Sequence, residues 1–141
     1  MNTNKMESPF RFLTSRVLEL HINNTYAELD NSPENCKFLD VSHIISDIIE
    51  QEDGWIGIVE LTIKVKINDS TDNDGQTYAL DMTIEGGFAT DKSMSKDDFE
   101  KMLHVNGSAA LYSIARGFII STSSQTLVGG QVVLPLLNFT K

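Results

Sequence analysis

Between Trp55 and Ile67 the chain alternates so regularly that it has to be an extended strand with one buried face. Trp55, Val59, Leu61, Ile63, Val65 and Ile67 fall on one side, and Glu60, Thr62, Lys64 and Lys66 on the other. Asn68-Asp-Ser-Thr-Asp-Asn-Asp-Gly75 follows, a run of turn-forming residues. A second alternating stretch runs from Gln76 to about Ala89, with Tyr78, Leu80, Met82 and Ile84 sharing a face. Two such stretches around a turn predict an antiparallel hairpin, with one side packed and the other facing water.

The flanking segments extend this sheet. Phe10 to Thr25 is rich in β-formers, and Phe10, Phe12, Arg16, Leu18, Leu20 and Ile22 share a parity, which predicts a first strand. Residues 24–54 read as a long acidic connector. From Glu28 to Asp53 there are eight acidic residues against the single Lys37, a balance of 1 − 8 = −7. Within it a short strand is expected around 36–42. A helix-like or irregular excursion should follow, because Val41, Ile44, Ile45, Ile48 and Ile49 recur at helical spacing.

The second half changes period. Ser95 and Asp98 form a capping-box-like start for a short helix through Phe99, Met102 and Leu103. Asn106-Gly107 is expected to interrupt it, with Ser108 capping a second helix. There Leu111, Ile114, Ala115, Phe118 and Ile119 form one apolar stripe, opposite a small polar face of Ser113, Arg116, Ser121, Ser123 and Ser124. An extended apolar tail, Val132–Phe139, follows Gly129-Gly130. The expected fold class is α+β, an antiparallel sheet of about four strands with C-terminal helices packed on one side. Residues 1–141 read as a single domain, with 1–9 expected to be disordered.

Composition narrows the function classes. A net charge of −9 and a pI near 4.6 give no basic cluster to displace counterions from nucleic acid, nor to hold an anionic membrane. Cys36 is the only cysteine, so no internal disulfide can form. The first residues carry no apolar signal core, and no run approaches 18 apolar residues. A cytoplasmic protein with no membrane insertion is therefore expected.

Catalytic patterns are absent. His21, His43 and His104 fall in different elements, without metal-ligand spacing. Ser108 lacks the flanks of a nucleophile elbow, and no Walker or dinucleotide-binding glycine motif occurs. Gly86-Gly87 reads as a bulge or bend. The Ser70, Asp72, Asp74, Gly75, Asp81 series mimics a calcium loop but lacks the terminal Glu and flanking helices, so a solvated turn is expected. No metal, no cofactor and no enzymatic activity are expected.

The order of these elements resembles the SecB family of export chaperones over roughly residues 10–139. Glu85-Gly86-Gly87-Phe88 is similar to the family's Gly-Gly-aromatic hairpin end, and Asp98–Asn106 to its acidic, Leu-rich helix start. Leu111, Tyr112, Ala115 and Arg116 follow its Leu-Phe-Pro-aromatic-Ala-Arg run, from which Ser113 and Ile114 depart. Leu134-Pro-Leu-Leu-Asn-Phe139 is similar to its tail element. Three departures stand out. Gly107-Ser108 replaces a Cys-Pro, the chain stops where fuller members have a terminal helix, and His21, Thr25 and Met82 occupy acidic positions used for SecA docking.

The resemblance implies an ATP-independent chaperone for unfolded or partly folded polypeptides, working in protein export with SecA as a partner. The alternative is a dedicated chaperone for one partner, such as the antitoxin of a toxin–antitoxin system. A client groove would be lined by Cys36, Phe38, Leu39, Trp55 and Phe88. A homotetramer (a dimer of dimers) would pack through Ser113, Arg116 and Ser121.

Overall fold

The computed structural model describes residues 9–24, 36–68, 77–126 and 132–140. Four antiparallel strands, β1 (Arg11–Asn24), β2 (Cys36–Gln51), β3 (Gly54–Asn68) and β4 (Thr77–Asp91), form one sheet in the order β1-β4-β3-β2. The expected β3–β4 hairpin is present, with Leu61 opposite Ile84 and Val65 opposite Leu80. Its turn, including the Asp72/Asp74 cluster, lies outside the described residues, as do Thr25 and residues 1–8 of the expected disordered start.

Three expectations are corrected. The acidic connector is not a connector over its second half, because β2 is one strand of 16 residues with no helical excursion. Its inward series, Leu39, Val41, His43 and Ile45, opposes Val65, Ile63, Leu61 and Val59 of β3. A bulge at Ser46 then shifts the parity, so Ile48 instead of Asp47 continues the inward face. In β1, bulges at Leu13 and Leu18 likewise break the single parity read from sequence. Leu20 and Ile22 oppose the inward Met82 and Leu80, whereas Arg16 opposes Glu85 on the outer face. Gly86-Gly87 does not bend β4, which keeps its register with β3. The irregularity lies in β1 across from Gly87.

The helical half is likewise more continuous than expected. Ser95 caps α1 (Lys96–Met102), its Oγ accepting the Asp98 N–H at 3.2 Å. The chain then passes through a π-turn, Leu103–Gly107, straight into α2 (Ser108–Thr126). Ser108 is therefore no cap; its hydroxyl is buried with no hydrogen-bond partner among the described residues. The π-turn has a geometric reason. Eight α-helical residues from Leu103 to Leu111 would advance about 80° beyond two full turns, and one extra residue cancels most of that offset. Leu103 and Leu111 thus both face the sheet, and both are fully buried. Replacing Ser108 by Ala removes an unsatisfied buried hydroxyl and is expected to raise unfolding free energy by about 1 kcal/mol in urea denaturation.

Width explains where the core stops. Four strands spaced about 4.8 Å apart make a sheet far wider than a single helix of about 10 Å can cover. The helix therefore buries the two central strands. Val59, Leu61, Ile63, Tyr78, Leu80, Met82 and Ile84 are sealed under Phe99, Leu103, Leu111, Ala115 and Ile119. The inward residues of the edge strands β1 and β2 are only partly covered. A valley opens on each flank of the helix.

Candidate functional site

The valley along β2 has as its floor Leu39, Val41, Ile45 and Ile48, all half-buried and packed against the core. Its far wall is α2. Part of it is filled by the chain itself. Residues 132–138 run back along α2 without regular secondary structure and without joining the sheet, and a turn follows at 139–140. Three side chains of α2 hold their backbone. Ser123 Oγ accepts the Val132 N–H at 2.7 Å, Arg116 Nε donates to the Leu134 carbonyl at 3.0 Å, and Tyr112 Oη donates to the Pro135 carbonyl at 2.5 Å. Positions 112, 116 and 123 are one and about three turns apart, so they line one side of the helix. Val132 and Leu134 are buried, while Val133 is half exposed and Leu136 is 82% exposed. Beside this segment lies a cavity of about 140 Å³ lined by Phe38, Leu39, Val65, Ile67 and residues 132–135.

Further along, His43 Nε2 lies 3.0 Å from His104 Nδ1, joining β2 to the π-turn, and the Phe139 ring packs edge-on against both His43 and Tyr112. One imidazole must be a donor and the other an acceptor, so the contact is lost if both are protonated. Burial, and then the His104 charge, push the His43 pKa below its ordinary value of 6.5. Burial also raises the Tyr112 phenol above its usual range, so it stays protonated and able to donate.

Because the folded His43 pKa lies below the unfolded one, the unfolded chain binds more protons in acid. The stability held by this pair is fully present above about pH 6.5 and is lost as pH falls from there. Urea denaturation at pH 7.5 and 5.5 should show this loss, and a His43→Phe variant should lose less over the same interval.

The residues expected to line a groove do not come together. Leu39 faces this valley, and Phe38, 59% exposed and opposite Lys66 on the outer parity of the edge strand, borders the cavity at its mouth. Cys36 begins β2, but its side chain lies outside the described residues. Trp55 is at the other end of the sheet. Eleven residues separate it from Lys66, the partner of Phe38 in the sheet, roughly 36 Å along the strand. Phe88 belongs to the core, 1% exposed, stacked on Phe10 at 5.3 Å and edge-on to Phe12 at 5.6 Å.

The expected polar face of α2 also divides. Ser113 and Ser121 are exposed, but Arg116 and Ser123 turn toward the 132–139 segment. The apolar stripe is split as well. Ile114 and Phe118 are exposed on the flank away from Arg116, toward β1, where Phe12 and Val17 are also exposed. Val41, Ile45 and Ile48 were missed because Ile44 and Ile49 complete a helical spacing with them. Leu39, Val41 and Ile45 keep a period of two in the sequence, and the bulge at Ser46 takes Ile48 out of it. Nothing in the sequence marks Tyr112, Arg116 and Ser123 as holders of an extended segment.

Among the described residues, no group of three or more His, Cys, Asp or Glu side chains comes together to hold a metal ion, and no helix is long and apolar enough to cross a membrane. No protein-family model and no curated protein matches the chain. Experimental structures do resemble it. The SecB-like chaperone Rv1957 of Mycobacterium tuberculosis, in complex with a ChAD peptide from the Rv1956 HigA1 antitoxin, superposes with a TM-score of 0.64 at 13% identity, over 92% of this chain and 91% of that one. A protein of unknown function from Streptococcus agalactiae superposes with a TM-score of 0.47 at 12% identity, over 89% and 96%. The four-stranded antiparallel sheet with its C-terminal helix is a SecB-like fold.

Proposed function

We propose that this protein is an ATP-independent chaperone that holds unfolded or partly folded polypeptides, a binding protein and not an enzyme, acting in the cytoplasm. The observation that carries this reading is the β2 valley. It is a long apolar floor left open by geometry, already shaped to hold an extended polypeptide by apolar contacts and main-chain hydrogen bonds together. Such capture is sequence-tolerant, as a holdase requires. The net charge of −9 keeps a protein with exposed Phe38, Val133 and Leu136 in solution. The exposed β1-side flank, with Phe12, Val17, Ile114 and Phe118 beside Ser121, fits a second copy of the chain, supporting a homo-oligomer.

A single-partner chaperone is the second reading, favoured over a role in export by two observations. The structural neighbour was captured with an antitoxin peptide. On the outer sheet face, some of the acidic residues stand beside bases. Arg16 Nε meets Glu85 at 3.2 Å, and Lys64 opposes both Asp81 and Asp40. Met82, at a position expected to be acidic, is buried in the core.

Fluorescence anisotropy with a labelled, permanently unfolded polypeptide tests the valley. Phe38→Ser with Leu39→Ser should weaken binding about tenfold, at a melting temperature within a few degrees of the parent. Unchanged affinity in that folded variant would refute the assignment. Purification from cells with one dominant antitoxin, instead of many unfolded proteins, would select the single-partner reading.

A further inference from the structure

We propose that residues 132–139 are an internal stand-in for the client. In this reading they occupy the client's own seat, and a client must displace them to bind. The inference rests on the holdase reading above and adds to it the chemistry of the recognised segment.

The segment is held as a bound peptide would be. It has no regular secondary structure, pairs with no strand, and at its start buries alternate side chains, Val132 and Leu134, while Val133 between them faces out. Its main chain is read by Ser123, Arg116 and Tyr112, whose hydrogen bonds go to one amide and two carbonyls, while the Phe139 side chain adds a ring contact to Tyr112. Any polypeptide offering the same backbone groups satisfies the same three donors and acceptors. The adjoining cavity of about 140 Å³ leaves room for side chains bulkier than valine. The structure therefore points to clients with large aliphatic or aromatic residues at alternate positions and no charge at the two that point inward, since nothing in the lining offers a charged partner to a buried acid or base. Self-occupation lowers apparent client affinity by the fraction of time the seat is free.

Hydrogen exchange on the full chain, with and without reduced and carboxymethylated α-lactalbumin, tests this. The reporter is the Val132 amide, held by Ser123 and buried in the free protein. On client binding, exchange across 132–139 should speed up, while the β3 amides of 59–67 are unchanged. A V132S/L134S variant, with a weakened seat, should bind the same client about three- to tenfold more tightly. A complex that forms while 132–139 keeps or gains protection would overturn this inference alone and leave the holdase reading standing. Failure to form any complex would overturn both.

Discussion

Phe88→Ala is expected to cost about 3–5 kcal/mol of unfolding free energy and to leave client affinity per folded molecule unchanged. Sequence resemblance places Phe88 on a client surface, whereas the structure places it where β1, β4 and the helix meet. Its ring is stacked on Phe10, and a Cβ added at Gly107 of the π-turn would approach it to 3.3 Å. Truncation leaves a ring-sized void that neither the sheet nor the helix can close without breaking other contacts, and the cavity adds to the lost transfer energy. Urea denaturation gives the first number, and anisotropy in the native baseline the second. A folded Phe88→Ala protein that no longer binds unfolded chains would restore Phe88 to the site.

Gly57→Val should be nearly as damaging, for the opposite reason. Gly57 lies on the inward face of β3 beneath the helix, and a Cβ there would come within 2.9 Å of Leu103 Cδ2 and 3.0 Å of Phe99 Cε2. Both side chains are fully buried, so neither can swing into solvent. A valine has to push the helix off the sheet, a change expected to cost about 2–3 kcal/mol. Gly117 supplies the control. It sits in α2 with no atom within 4 Å of an added Cβ, so Gly117→Ala should stabilise by about 0.5–1 kcal/mol through helix propensity alone. Equal effects at the two glycines would mean that the close helix–sheet contact at Gly57 is not what makes its substitution costly.

How far the sequence could be read follows from what kinds of force set each feature. The β3–β4 hairpin was legible because burial of one face writes a period of two into Val59–Ile67 and Tyr78–Ile84. The Ser95 cap was legible because it depends on residues three apart. β2 was misread after residue 42 because its bulge at Ser46 lets Ile44, Ile45, Ile48 and Ile49 fall at helical spacing while the backbone stays extended. Asn106-Gly107 was misread as a break because a π-turn is favoured here by the fit of Leu103 and Leu111 to a sheet distant in sequence, and local propensity does not register it.

The site was harder still. That Leu39 faces a valley and Phe88 does not depends on the width of one helix against four strands. The roles of Tyr112, Arg116 and Ser123 depend on contacts with residues 9–23 positions later. No residue spacing encodes either.

The most direct test of the central claim is light scattering of an aggregating, chemically reduced polypeptide in the presence of this protein without nucleotide. Near-stoichiometric amounts should suppress the scattering and leave a soluble complex containing both chains. Aggregation that proceeds unchanged, with no complex at tens of micromolar protein, would contradict the claim that the β2 valley holds unfolded polypeptides.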